Sequence, residues 1–313
     1  MNTCLFCYLP LADHEPDFHA SCSKKIFGQP SPPALPYSEE NLEQLAKEVI
    51  QNQTAVTGVQ AKISLHISDN QTAGANQRFT IVGLWGGYIL KPPSSLYPQL
   101  PEVEDLTMHL AKIAKIKTVP HSLIRLQSGN LAYITKRIDR TLKGKLAMED
   151  MCQLTERLTE HKYHGSYEQI GKAIQKYSIN PGLDLVNFFE VVLFSFLTGN
   201  ADMHLKNFSL LEQPGLGMIL SPAYDLVNTA LVNPADEEDM ALTLNGRKKK
   251  LKKQDFSTAM DTLKVEARQQ ENIFNKMTKA MPKWQEQIDR SFMSSPFKER
   301  YKTILKERMS RLQ

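Results

Sequence analysis

The sequence predicts an α+β protein of two lobes, the first rich in strands and the second helical. Two observations carry this expectation. Short runs of alternating hydrophobicity fill residues 61–91 and 122–138, whereas helical periodicity dominates from about residue 150 onward. At 313 residues, 41% hydrophobic and 23% charged, the chain is long enough for one large domain or two lobes around a real core. A formal charge of +4 is small for this length and does not mark a nucleic-acid binder. No basic stretch followed by an apolar one opens the chain, so no secretory signal is expected. The most apolar run, FFEVVLFSFL at 188–197, contains Glu190 and is far too short to span a bilayer, so it reads as a buried helix. Of four cysteines, three fall in the first 22 residues, too few for a disulfide framework in a chain this long. A reducing cytoplasm is the expected location.

Taken in order, residues 1–28 form a compact Cys/His segment, and 29–44 a connector that starts as the Pro-rich GQPSPPALPYS, favouring extended chain. A strand-rich lobe is expected over 45–140. The stretch EENLEQLAKEVIQ, residues 39–51, has helical periodicity and leads into KISLHI, a polar turn, RFTIVG and GYILK, as in a β-meander. LPEVEDLTMHLAKIAKI is an amphipathic helix with Leu106, Leu110 and Ile113 on one face, and SLIRLQSGNLAYITKRI reads as two strands around a Ser128-Gly129-Asn130 turn. Residues 141–313 form the helical lobe, ending in an amphipathic stretch with Trp284, Ile288, Phe292, Tyr301, Ile304 and Leu305 among its apolar positions. A cleft is expected between the lobes.

Chemistry concentrates in LTGNADMHLKNFSLL, directly behind the buried helix. Asp202 and Asn207 stand in the spacing D-x-x-x-x-N. In protein kinases the aspartate of such a loop accepts the proton of the acceptor hydroxyl, and the asparagine ligates magnesium. One loop must present a base and a metal-binding oxygen on adjacent sides of a phosphate, which explains the spacing. Alone the motif is weak, and a solvated loop is the ordinary alternative. Three further features appear in kinase order. Asp225 follows the strand GMIL, where a second magnesium-binding carboxylate would sit. Lys91 ends the strand GYILK, where a phosphate-pairing lysine belongs. Glu104 on the next helix is placed to hold that lysine. TAVTGVQAKISL supplies a hydroxyl-rich turn with Gly58, a candidate loop over the phosphates, although it has no G-x-G-x-x-G. Each residue has a plain alternative: Lys91 a surface lysine, Glu104 a solvated charge, Asp225 a turn former. The ordered set is far more specific than any member.

TGVQAK, YILKPP, PEVEDLTMHLAK, YITKRIDR, MEDMCQLTERLTEHKYHGSYE, NADMHLKNF and SPAYDLVNT together resemble the HipA-type toxin serine/threonine kinases. The resemblance runs from about residue 45 to the C-terminus. It implies a two-lobed, protein-kinase-like (HipA-like) fold that takes ATP and Mg²⁺. By motif position Thr57, Gly58, Val59, Gln60, Ala61 and Lys62 would lie over the phosphates, with Lys91 below them, while Lys136, Arg137 and Ile138 would meet the adenine. Asp202 would be the base, and Asn207 and Asp225 the magnesium ligands, with His204, Lys206 and Tyr224 close by. The family phosphorylates aminoacyl-tRNA synthetases, and itself just before the TGVQ-like loop. Here a position often serine in the family is Ala55, which leaves Thr54 or Thr57 as the self-phosphorylated residue. The chain shows no β-rich N-terminal subdomain, so it resembles the shorter HipT branch. Expected partners are therefore a small HipS-like protein supplying that subdomain and a HipB-like DNA-binding antitoxin. Two other readings remain: an ATP-binding regulator of kinase fold, and a small-molecule phosphotransferase.

Two features lie outside this scheme. Cys4-x-x-Cys7 and His19-x-x-Cys22, with eleven residues between the pairs, suit a tetrahedral structural zinc, the alternative being a metal-free cap packed on the rest. LNGRKKKLKKQDF gathers six basic residues around an Asn-Gly turn, offset by the acidic DEED nearby. A solvated hairpin is the ordinary meaning, with nucleic-acid contact at most secondary.

Overall fold

A computed structural model describes residues 2–42, 44–45, 61–68, 77–82, 85–141 and 144–313. The chain divides into two compact units. One comprises Met1–Asp105, Val119–Ile138 and Arg290–Phe292; the other comprises Leu106–Thr118, Asp139–Asp289 and Met293–Gln313.

The first unit is built on five antiparallel strands: β1 (Ile63–Ser68), β2 (Arg78–Ile81), β3 (Tyr88–Lys91), β4 (His121–Arg125) and β5 (Leu131–Lys136). Their order is β2-β1-β3-β5-β4. The expected meander is therefore corrected, because β3 returns along the far edge of β1, with Leu65 opposite Tyr88, instead of pairing with β2. Alternation fixes which face of a strand is buried but not which neighbour it takes, so periodicity could not decide this order. β4 and β5 join through Gly129 at φ +94°, a left-handed turn position that suits glycine.

Both sheet edges are covered, which blocks unwanted strand pairing. Leu5 carbonyl oxygen accepts from Leu123 N–H (3.3 Å) and Ser122 Oγ (3.2 Å) at the β4 edge. At the β2 edge, Ala34 of the Pro-rich connector donates to Gln77 carbonyl and accepts from Phe79 N–H, each at 2.9 Å. The Ala20–Phe27 helix and the Cys/His segment lay Cys4, Leu5, Phe18, Cys22, Ile26 and Phe27 on the sheet residues Leu65, Phe79, Tyr88 and Leu90 in a continuous core.

In the second unit the Pro181–Leu197 helix is the buried hub: every residue from Phe188 to Leu197 is buried. Pro181 fits the first helical turn, where its missing N–H costs nothing. A three-stranded sheet in the order β10-β9-β8 lies in the same unit, with β8 (Met148–Asp150), β9 (Ser209–Gln213) and β10 (Gly217–Leu220). A short hairpin of β6 (Arg140–Thr141) and β7 (Gly144–Lys145) precedes it. Asp184 Oδ2 fastens hub to sheet, accepting from Ser178 Oγ (2.6 Å) and Leu220 N–H (2.7 Å). The amphipathic C-terminal stretch forms two helices, Ala267–Arg290 and Ser295–Ser310, which bury Trp284, Ile288, Tyr301, Ile304 and Leu305. The helix beginning at Leu100 stops at Ile113, closed by Lys115 at φ +58°. Asn245 and Gly246, at φ +49° and +72°, form the expected Asn-Gly turn. Among the described residues no helix is long and apolar enough to cross a membrane.

Candidate active site

The loop carrying Asp202 begins where the hub helix ends. Gly199 turns the chain at φ +67°, and a Cβ there would lie 2.9 Å from Asn228 Oδ1. Only glycine fits both the torsion and the space. The polar residues that follow are then used locally. Asp202 N–H donates to Asn200 Oδ1 (3.1 Å), Ala201 N–H to Thr229 Oγ1 (2.8 Å), and Asn207 Nδ2 to the Asp202 carbonyl (2.9 Å). His204 N–H also donates to the Asp202 carbonyl, at 2.8 Å. Asn200, His204 and Asn207 are buried, while Asp202 and Lys206 keep partial exposure. The loop is thus a rigid knot that presents two charged side chains.

His204 reports the electrostatics. Burial pushes its imidazole down to about 4, against opposing pulls from Asp202 and Asp225. Both carboxylates pull the ring's titration upward, and burial outweighs them. Because the ring stays neutral at pH 7, it cannot cancel their charge. Asp225 lies in the left-handed region at φ +54°, a backbone position that a non-glycine residue holds only when its surroundings enforce it. Tyr224, one residue earlier, donates to the Lys206 carbonyl (3.0 Å) and meets Ser209 Oγ at 2.5 Å, locking the two loops together. Lys206 pairs with Asp150 at 2.8 Å.

The donor set suits a hard divalent cation. Asp202, Asp225 and the Asn207 amide offer oxygens, the Asn207 nitrogen is already engaged, and oxygen donors favour Mg²⁺ over softer metals.

Two participants went unassigned from the sequence. Tyr163 donates to Asp202 Oδ1 at 2.5 Å and sets its ring edge-on to His204, the centroids 5.0 Å apart. Burial first, then Asp202, holds its phenol well above the ordinary value, so it remains a donor. Asp150, the partner of Lys206, also caps a helix by accepting from Gln153 N–H. A D-x-x-Q capping box was legible at Asp150; nothing local signals Tyr163, which returns to the loop through Leu205 N–H on the Lys162 carbonyl (3.1 Å). A shallow groove lined by Arg157, His161, His164 and Gln169 flanks this segment.

In the first unit Lys91 and Glu104 form a buried pair at 2.5 Å, their residues 3% and 1% exposed, with Lys91 Nζ over the Tyr133 ring. The neighbouring Asp105 serves another purpose, accepting from Tyr8 OH (2.7 Å) and His121 Nδ1 (2.6 Å). Lys136 ends β5 opposite Tyr88, Arg137 N–H donates to the Gly87 carbonyl (2.8 Å), and Ile138 is half-buried. Ala61 and Lys62 lead into β1. Thr54, Thr57, Gly58, Val59 and Gln60 lie outside the described residues.

Residues 54–285 match the family described as HipA-like C-terminal domain. A Sinorhizobium fredii protein named as a kinase, Y4dM, is 33% identical over 209 residues, 63% of this chain and 50% of that protein. A Haemophilus influenzae protein, also named as a kinase, is 26% identical over 74% of this chain and 69% of its own length. The chain thus spans about half of the Sinorhizobium relative. Among solved structures, HipA from a Shewanella oneidensis toxin–antitoxin complex with HipB and operator DNA gives a TM-score of 0.66 at 22% identity, covering 85% of this chain and 70% of that one. The Helicobacter pylori proinflammatory kinase CtkA gives 0.56 at 19% identity, covering 79% and 93%. At these identities the structures establish the fold: α+β, with an antiparallel-sheet unit and a helical unit, as in HipA and CtkA.

Proposed function

Since the chain belongs to the family of HipA-like C-terminal domains, we propose that it is an ATP-dependent serine/threonine protein kinase acting as the toxin of a toxin–antitoxin system. The observation that supports this reading is the tie between two loops: Tyr224, next to Asp225, donates to the Lys206 carbonyl (3.0 Å) and meets Ser209 Oγ, while Asn207 Nδ2 holds the Asp202 carbonyl (2.9 Å). A lone D-x-x-x-x-N loop would not need a second carboxylate from a separate loop held at a strained torsion.

The chemistry follows from the groups present. A substrate hydroxyl oxygen bonds to the γ-phosphorus of ATP while the bond to the β–γ bridging oxygen breaks, and ADP leaves with that electron pair. Asp202 takes the hydroxyl proton, its orientation fixed by Tyr163. Lys91, made rigid by Glu104, offsets phosphate charge. Mg²⁺, when bound by Asn207 and Asp225, would neutralise the nucleotide's negative charge. Lys206, oriented by Asp150, adds a cation beside the loop. The substrate class is an aminoacyl-tRNA synthetase, and the antitoxin partner is a DNA-binding protein, the role HipB plays in the Shewanella complex. Self-phosphorylation falls on Thr54 or Thr57, where about −1.5 to −2 added charge would repel nucleotide phosphates and silence the enzyme.

The test is transfer of labelled γ-phosphate to protein. Wild type should label itself and a synthetase in lysate, and Asp202→Asn or Asp225→Asn should lose at least about 100-fold with an unchanged circular dichroism spectrum. Label on small metabolites alone would replace this reading with a small-molecule phosphotransferase. Undiminished labelling in either variant would refute the assigned roles.

A further inference from the structure

The segment ahead of residue 54 lies outside the span matched by the family, yet it contains a convergence of ligand-type atoms that phosphoryl transfer does not use. The sulfurs of Cys4, Cys7 and Cys22 and a ring nitrogen of His19 all lie within 4.8 Å of one another. His19 Nδ1 is 3.4 Å from Cys7 Sγ and 3.7 Å from Cys22 Sγ. In a tetrahedral zinc site, Zn–S and Zn–N bonds of about 2.3 and 2.05 Å put each sulfur about 3.6 Å from the nitrogen. The two observed separations bracket that value. All three thiols are free, so no disulfide accounts for their approach.

The surroundings are arranged as a ligand set requires. His19 Nε2 lies 3.0 Å from the Pro10 carbonyl; a proton there leaves the Nδ1 lone pair facing the sulfurs, an outer hydrogen bond typical of metal-bound histidine. Tyr8 at φ +63° closes the Cys-x-x-Cys turn, with its N–H on the Cys4 carbonyl (3.0 Å) and Cys4 N–H on the Leu9 carbonyl (2.9 Å). Burial pushes the Cys4 thiol up, but N–H groups of His19, Phe6 and Cys7 outweigh it and draw it below its ordinary value. Cys22 is pushed up to about 12 by burial and by the neighbouring Cys4 and Cys7.

We propose that Cys4, Cys7, His19 and Cys22 bind one structural zinc ion that clamps the N-terminal segment onto the five-stranded sheet. Loading is Zn²⁺ plus three thiols and neutral imidazole giving a Cys₃His complex of net charge −1, with three protons released. No position stays open, so the metal performs no catalysis. What it fixes is visible: Leu5 on the β4 edge, Ile26 carbonyl accepting from Tyr88 OH (3.0 Å), Phe27 against Phe79 and Tyr88, and Tyr8 on Asp105. Residues from the two ends of the zinc loop thereby brace the strand that bears Lys91 and the helix that bears Glu104.

Zinc content of the full chain, purified without chelator and measured by elemental mass spectrometry, tests this directly. One zinc per chain is expected. Cys7→Ser and Cys22→Ser should lose most of it, whereas Cys152→Ser, the one cysteine outside the cluster, should keep it. Replacement by Co²⁺ should give the intense visible bands of a tetrahedral thiolate site. Should the variants fail to fold, wild-type zinc content and the Co²⁺ spectrum decide the matter alone. Wild-type protein with zinc far below one per chain, iron in its place, or equal loss in Cys152→Ser would overturn the proposal. Because no kinase assay enters, failure here leaves the kinase reading untouched, and the reverse holds.

Discussion

Removing the Glu104 carboxylate separates stability from function at the Lys91 pair. At 2.5 Å and an effective dielectric of about 20, the two charges attract by about 7 kcal/mol. Desolvating each ion costs several kcal/mol, so the intact pair contributes little net stability. Glu104→Gln keeps the shape but leaves the Lys91 ammonium, in a residue only 3% exposed, without its counter-charge. A loss of about 3–5 kcal/mol follows. The double variant Lys91→Met/Glu104→Leu removes both ions and should recover most of that loss, while phosphate transfer vanishes. Urea unfolding followed by circular dichroism, alongside the labelling assay, gives both readouts. A loss below about 1 kcal/mol in Glu104→Gln, or a double variant less stable than the single ones, would refute the argument that an unpaired buried charge dominates this site.

Other positions give sharp expectations. Asp239 is buried, yet Arg311, Arg308 and the Leu251 N–H outweigh desolvation and hold its carboxyl below 3.8. The unfolded chain therefore binds the proton first: the contribution is whole above about pH 4 and fades as pH falls through the folded value. Asp239→Asn should cost about 3 kcal/mol at pH 7 and flatten the acid limb of a stability–pH curve; an unchanged limb would contradict this. Gly199→Ala must hold φ +67° with a Cβ 2.9 Å from Asn228 Oδ1, so a loss of about 1–2 kcal/mol and a lower Tm are expected; a neutral effect would show that Asn228 yields freely. Tyr163→Phe keeps the ring against His204 but loses the hydrogen bond to Asp202. Turnover should fall about tenfold to a hundredfold, and a loss as complete as that of Asp202→Asn would make the phenol part of the chemistry itself.

Local order was well written in the chain. Alternation located β1, β3 and β5, and the apolar run at 188–197 gave the hub helix, because burial of one face or of a whole segment leaves a periodic trace. The basic run was legible together with its neutraliser: Lys248 and Lys249 meet Glu238 and Glu237, each at 3.4 Å. Strand order was not legible, and neither was Tyr163, whose contact with Asp202 spans 39 positions.

By itself the sequence determined whatever six or so neighbouring residues can settle: the Asp202–Asn207 spacing, the Cys-x-x-Cys turn and the lysine at the end of β3. The tertiary structure decided which separated groups meet. In PEVEDL the acids at 102, 104 and 105 look equivalent as text, but adjacent residues on a helix point about 100° apart. Glu104 consequently turns to Lys91 while Asp105 turns to Tyr8 and His121. The same holds for Asp225, whose loop meets the loop of Asp202 through Tyr224, a donor to the Lys206 carbonyl eighteen positions away. Pairing across the fold depends on side-chain direction and chain return, and neither is carried by composition or spacing.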